Sequence, residues 1–125
     1  DAAAVWQPFE PARIPALVAA GNVVWVNVTA DWCLTCKVNE RLVLARDPVL
    51  ARLSTGGVVA MRGDWTRPDE AIVRYLAGFG RYGIPFDAVY GPALATGEAL
   101  PELLSEDAAL DALDRAGAKP VAAAR

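Results

Sequence analysis

The chain of 125 residues holds two cysteines, Cys33 and Cys36, placed in Ala30-Asp31-Trp32-Cys33-Leu34-Thr35-Cys36-Lys37. Thiols at that spacing close a disulfide over one helical turn, and the thiolate of such a pair attacks a disulfide elsewhere. The segment follows the apolar run Val23-Val24-Trp25-Val26-Asn27-Val28. A strand that ends there, turns and opens a helix at Cys33 sets the first thiol at a helix N-terminus. Free amide groups and the positive end of the helix dipole then favour its thiolate. Cys33 is accordingly the expected nucleophile, exposed and the more acidic of the two, and Cys36 the thiol that resolves the mixed disulfide. An inert bridge over so short a loop would remove little chain entropy, so spacing argues for exchange rather than for a staple.

The composition removes most other chemistries. Histidine is absent, which excludes Ser–His and Cys–His nucleophilic catalysis and imidazole-held metals. Two cysteines do not complete a four-ligand zinc site, so no metal is expected, nor any cofactor beyond the Cys33–Cys36 disulfide. The net charge of −3 is spread along the chain, without the basic patch and interleaved aromatics of a nucleic-acid binder. No apolar stretch approaches the roughly 18 residues of a membrane helix. The N-terminus lacks a basic region followed by an apolar one. The sequence reads as one soluble domain, large enough for a core of its own, that is compatible with excision from a longer protein. A Cys-x-x-Cys pair operates in reducing and oxidising compartments alike, so it does not fix the location.

These cysteines need a scaffold, and the chain's periodicity supplies one. Residues 1–11 read as an Ala- and Pro-containing lead-in with a short edge strand at Val5-Trp6. A first helix runs from Ala12 to Ala20 and stops at Gly21-Asn22. Val23 to Val28, rich in β-branched residues and apolar on both faces, is a central strand. A helix follows from Cys33 to Ala45, and Asp47-Pro48 restarts a short one with Asp as cap and Pro first. Val58 to Met61 is a second buried strand. Arg67 to Ala77 is a helix with Ile72, Val73, Leu76 and Ala77 on one face. Phe86 to Tyr90 and Glu98 to Leu103 read as two strands, and Ser105-Glu106-Asp107 opens a last helix ending at Gly117. The order β-α-β-α-(α)-β-α-β-β-α implies an α/β fold whose parallel core is extended by an antiparallel hairpin.

That order, with Trp-Cys-x-x-Cys-Lys at the first βα junction and Gly83-Ile84-Pro85 before the hairpin, resembles the thioredoxin fold. More closely, the chain resembles the C-terminal periplasmic thioredoxin-like domain of the DsbD/ScsB family of transmembrane thiol:disulfide interchange proteins. The resemblance rests on Thr29 to Glu40, Asp47-Pro48, Gly63-Asp64-Trp65-Thr66, Phe79 to Pro85 and Leu100-Pro101-Glu102-Leu103-Leu104. It implies a central mixed sheet flanked by helices; composition sets the domain at residues 12–117, after the lead-in 1–11 and before a low-complexity tail at 118–125 that is expected to be disordered. It also implies a soluble periplasmic domain of an inner-membrane protein, monomeric when isolated. Such a domain would take electrons from a transmembrane Cys pair and hand them to a periplasmic thiol–disulfide domain or protein.

The site residues follow from both readings. In the thioredoxin fold the Ile84–Pro85 peptide would be cis and face the cysteines, its backbone pairing with an incoming peptide like an added strand. Trp32, Leu34, Ile84 and Pro85 would form the docking surface. Many relatives carry a buried Asp on the strand six positions before the first Cys; here that position is Asn27, which takes no proton, so the role does not carry over unchanged. Glu40, four residues beyond Cys36 on the same helix face, would raise a thiol pKa by repulsion. Leu34 and Thr35 add no positive charge, and they replace the Gly-Pro of general thioredoxins. Together these favour a reductant, nearer thioredoxin's potential of about −270 mV than the about −120 mV of a strong oxidant. Two other readings stand beside it: a free-standing thioredoxin-like reductase, and a thioredoxin-fold binding module without redox turnover. Asp64, Trp65 and Arg81 carry no assigned chemistry.

Overall fold

The computed structural model describes residues 2–117, so the tail at 118–125 lies outside the described residues. Five strands form one sheet in the order β1-β3-β2-β4-β5. They are β1 (Trp6–Pro8), β2 (Val23–Thr29), β3 (Val58–Asp64), β4 (Phe86–Gly91) and β5 (Leu94–Ala99). The first three are mutually parallel, β4 pairs antiparallel with β2, and β5 pairs antiparallel with β4. The helices are α1 (Ile14–Ala19), α2 (Leu34–Asn39), α3 (Val49–Leu53), α4 (Glu70–Ala77) and α5 (Glu106–Ala116). The chain thus has the mixed sheet and flanking helices expected of it.

The alternation of side chains along β2 divides the core into two layers. Val23 and Trp25 pack with Val43, Leu44, Val49, Leu53 and the apolar stripe of α5. Val24, Val26 and Val28 pack on the opposite face with Ile14, Met61, Ile72, Leu76 and Phe86. Each fully buried aliphatic or aromatic side chain of this kind contributes roughly 1.5–3 kcal/mol. Asn27 and, on β4, Asp87 interrupt that apolar sheet on the Trp25 side, both almost completely buried. A polar pair in the central strands needs partners, and the site supplies them.

Several boundaries differ from the sequence reading. The lead-in belongs to the sheet: Trp6–Pro8, rather than Val5-Trp6, pairs in register with Ala60–Arg62. The third strand continues through Arg62 to Asp64. The last strand is Leu94–Ala99 rather than 98–103, because Leu100 and Leu104 enter the core separately from a loop while Leu103 is exposed. Asp47 does not cap α3; Pro48 holds the cap position and the Asp47–Pro48 peptide is cis. The fourth helix begins at Glu70, where the Asp69 carboxylate accepts from the amides of Ala71 and Ile72 at 3.0 and 3.2 Å. Of its expected face, Ile72 and Leu76 are buried but Val73 and Ala77 are exposed. Ser105 caps α5 through the Ala108 amide, and Gly117 ends it at φ 115°. Gly91 is required by contact: a Cβ there would lie 2.2 Å from the Ala116 carbonyl oxygen.

Candidate active site

β2 delivers the chain through Thr29 and Ala30 to Cys33, which sits at the N-cap of α2. The Cys33 Sγ accepts from the Cys36 amide at 3.2 Å. One turn of helix brings the Cα atoms within 5.3 Å, and the two sulfurs are bonded. The helix then widens into a π turn over Glu40–Leu44. Ala30, Cys33 and Cys36 form a small apolar cluster covered by Ile84. The Ile84–Pro85 peptide is cis, with Pro85 buried. In the disulfide form Cys33 is 6% exposed and Cys36 4%. Exposure therefore does not distinguish the two cysteines; Cys33 differs by its place at the cap, where its sulfur faces a backbone amide.

Trp32 and Leu34 project beside the bridge, 62% and 76% exposed. The turn that carries Trp32 is held by the segment after β3. Thr66 Oγ accepts from the Asp31 amide at 2.9 Å, and the Thr66 carbonyl accepts from the Trp32 indole at 3.3 Å. Thr66 is itself fixed by Asp64, whose carboxylate accepts from its hydroxyl at 2.5 Å and its amide at 2.9 Å. Those two bonds, hydroxyl first, draw the Asp64 pKa below its usual value. Lys37 donates to the Asp31 carbonyl. Asp64 and Thr66 thus have a structural task, that of shaping the turn before the first cysteine. Arg81 donates to the Leu100 carbonyl at 3.3 Å and lies over the Phe86 ring.

An open cleft of about 530 Å3 runs beside Cys36, lined in part by Lys37, Glu40, Arg41 and Arg62. Glu40 is not the unopposed negative charge that its spacing implies. Arg62 on β3 bonds it at 2.5 Å, with both side chains part-buried. The guanidinium also lies over the Trp6 ring, 4.1 Å from its centre. The repulsion expected from Glu40 on a Cys36 thiolate is correspondingly offset by the cation it holds.

Asn27 is buried in the central strand, as a residue at the buried-acid position would be, and its side chain bonds two neighbours across the sheet. Register places Arg62, Asn27 and Asp87 side by side on β3, β2 and β4. Arg62 Nε donates to Asn27 Oδ1 at 2.7 Å, and Asn27 Nδ2 donates to Asp87 Oδ1 at 2.8 Å. The Trp25 indole donates to the same Asp87 oxygen at 2.9 Å. Burial pushes the Asp87 carboxyl up to about 6, against the Trp25 and Asn27 bonds and the Arg62 charge that pull it down; the Glu40 charge adds a little upward. Among the described residues the buried acid is Asp87. Its signal in the sequence is a lone acidic residue inside the strand Phe86-Asp87-Ala88-Val89-Tyr90. Arg62, inside β3, carries the matching signal.

The comparisons agree with this geometry. Residues 5–92 match the family model described as thioredoxin-like. The chain is 40% identical over 82 residues, 65% of its length, to thiol:disulfide interchange protein DsbD 2 of Pseudomonas aeruginosa. It is 35% identical over 92 residues, 70% of its length, to DsbD 1 of the same organism. The matches span 13% and 15% of those two relatives. The reduced C-terminal domain of Neisseria meningitidis DsbD superposes with a TM-score of 0.65 at 19% identity, covering 93% of this chain and 96% of that one. A thioredoxin from Thermus thermophilus gives 0.66 at 20% identity, covering 96% and 92%. At such identities the structures speak for the fold. With a bonded Cys-x-x-Cys at a helix cap, an adjoining Ile-Pro turn and a matching family model, the chain belongs to the thioredoxin-like family.

Proposed function

We propose that this domain is a thiol–disulfide oxidoreductase that works as a reductant within a membrane thiol reductase. It would receive electrons from a transmembrane Cys pair and pass them to a periplasmic thiol–disulfide domain or protein. The observation that carries the reading is the Cys33–Cys36 bridge, capped on α2 and covered by Ile84, with Trp32 and Leu34 exposed beside it. The similarity to two DsbD proteins supports the membrane context and the periplasmic location.

The exchange balances without metal, flavin or nucleotide. The Cys33 thiolate attacks a partner disulfide; one Cys33–partner bond forms and one partner sulfur leaves with the electron pair. Cys36 then loses its proton and attacks Cys33, the Cys33–Cys36 bond forms, and the second partner sulfur leaves. Two electrons pass to the partner, whose two thiolates take up the two protons that the domain's thiols release.

The test is to mix the reduced domain with an oxidised periplasmic domain of its parent protein and follow thiol transfer. Rapid transfer that vanishes in Cys33→Ser is the expected result. No transfer, together with efficient reduction by a soluble flavin-dependent thioredoxin reductase, would favour the free-standing reductase. A bridge inert to every dithiol would favour the binding module.

A further inference from the structure

The row Arg62–Asn27–Asp87 leads from the centre of the sheet to the cleft beside Cys36, and its chemistry is legible atom by atom. Arginine only donates, so the Asn27 oxygen must face Arg62 and its NH2 must face Asp87. The indole of Trp25 also only donates. Asp87 Oδ1 therefore accepts twice, while the buried Oδ2 has no partner among the described residues. Oδ2 is the oxygen on which a proton would sit. At the other end, Arg62 bonds Glu40, and both line the cleft with Cys36. Arg62 and Glu40 cancel each other's charge. One proton on or off Asp87 then switches the whole row between neutral and one net negative charge.

We propose that Asp87 is a positioning residue for the exchange reaction, acting through Asn27, Arg62 and Glu40 to set the charge against which Cys36 gives up its proton. The proposal rests on the redox reading above, but on no particular partner. In the resolving step the Cys36 Sγ–H bond breaks and its proton passes to water in the cleft. The Cys36 sulfur bonds to Cys33, and the Cys33–partner bond breaks with its electron pair going to the partner sulfur. While Cys36 is a thiolate, a second negative charge at Asp87 is unfavourable, so Asp87 binds its proton more tightly. The two ionisations are coupled. Arg62 and Glu40 are the charged groups that act on Asp87 itself, and exposed Lys37, Arg41, Asp31 and Asp64 border the same cleft. None of those four enters the buried row.

The experiment follows the carboxyl carbon resonance of Asp87 in the wild-type domain against pH, once oxidised and once reduced with dithiothreitol. The expected result is a second inflection of the Asp87 resonance in the reduced protein alone, shared with the thiolate absorbance. Superimposable curves in a pair that dithiothreitol does reduce would overturn the proposal and leave the redox reading standing. A pair that does not exchange with dithiothreitol would overturn both. In a Cys33→Ser background, Asp87→Asn should move the alkylation profile of Cys36 to lower pH, by about one unit or tenfold in rate near neutrality. A purely structural role for Asp87 would change stability and leave that midpoint in place, which also overturns the proposal.

Discussion

Arg62 reaches from β3 to hold Glu40 at 2.5 Å, one helical turn beyond Cys36. The guanidinium is shared: its Nε serves Asn27 at 2.7 Å while its Nη2 serves Glu40. Removing either partner leaves the other's charge beside the thiol. Arg62→Met should therefore raise the pH at which the Cys36 thiolate forms, and Glu40→Gln should lower it. The pair is only part-buried, so solvent screening limits each effect to several-fold in thiolate population rather than the tenfold of a full unit. Thiolate absorbance against pH in a Cys33→Ser background measures both. Shifts in the same direction for the two variants would contradict the pairing.

Cys33 and Cys36 differ in setting rather than in exposure. In the reduced protein Cys33 should be alkylated first, because its sulfur faces the Cys36 amide at the helix cap. A Cys36→Ser variant should accumulate mixed disulfides, since nothing resolves them. Peptide mapping after a short pulse of iodoacetamide settles the order. Faster labelling of Cys36 would reverse the roles assigned to the two thiols.

Thr66 ties the turn before the cysteines to the end of β3, through bonds to Asp31, Trp32 and Asp64. Thr66→Val keeps the shape and removes the hydroxyl. The loss should be about 1 kcal/mol of stability, the ordinary net value of a hydrogen bond. Because the freed turn carries Trp32, exchange with a protein disulfide should slow more than exchange with dithiothreitol, which needs no docking surface. Equal slowing with the protein disulfide and with dithiothreitol would argue against a docking role for Trp32.

Much of the scaffold is plain in the sequence: β2 is rich in β-branched residues and Ser105 stands where its helix begins, whereas the helix expected from Arg67 starts only at Glu70, behind the Asp69 cap. Local signals fail where a residue's partner is distant in sequence. Arg62 ends the apolar run of β3, yet the strand continues because Asn27, 35 residues away, accepts from it. Asp87 looks like an interruption of β4 until Trp25 and Asn27, some 60 residues earlier, are seen to donate to it. Glu98 to Leu103 reads as a strand, but Leu100 and Leu104 reach the core from a loop that Asn39 holds, donating to the Glu102 carbonyl and accepting from the Leu104 amide. The thiols were legible from spacing alone; the acid behind them needed the sheet register.

Asp87 also makes a prediction about stability. Its carboxyl is raised from 3.8 to about 6 in the folded, oxidised protein, while in the unfolded chain it returns to about 3.9. Between those values the folded state binds more protons than the unfolded one, so stability conferred by this group falls as pH rises. The neutral acid is tolerated below about pH 4; above about pH 6 the buried carboxylate costs its full penalty, roughly 2–3 kcal/mol for a shift of this size. Asp87→Asn keeps an oxygen to accept from Trp25 and Asn27 but carries no charge. The difference in unfolding free energy between Asp87→Asn and the parent should therefore move in favour of the variant by that amount between about pH 4 and pH 7. Taking the difference cancels the titration of every carboxylate the two proteins share. Urea unfolding of both oxidised proteins at several pH values measures it, and a difference independent of pH would show that Asp87 stays ionised throughout this range.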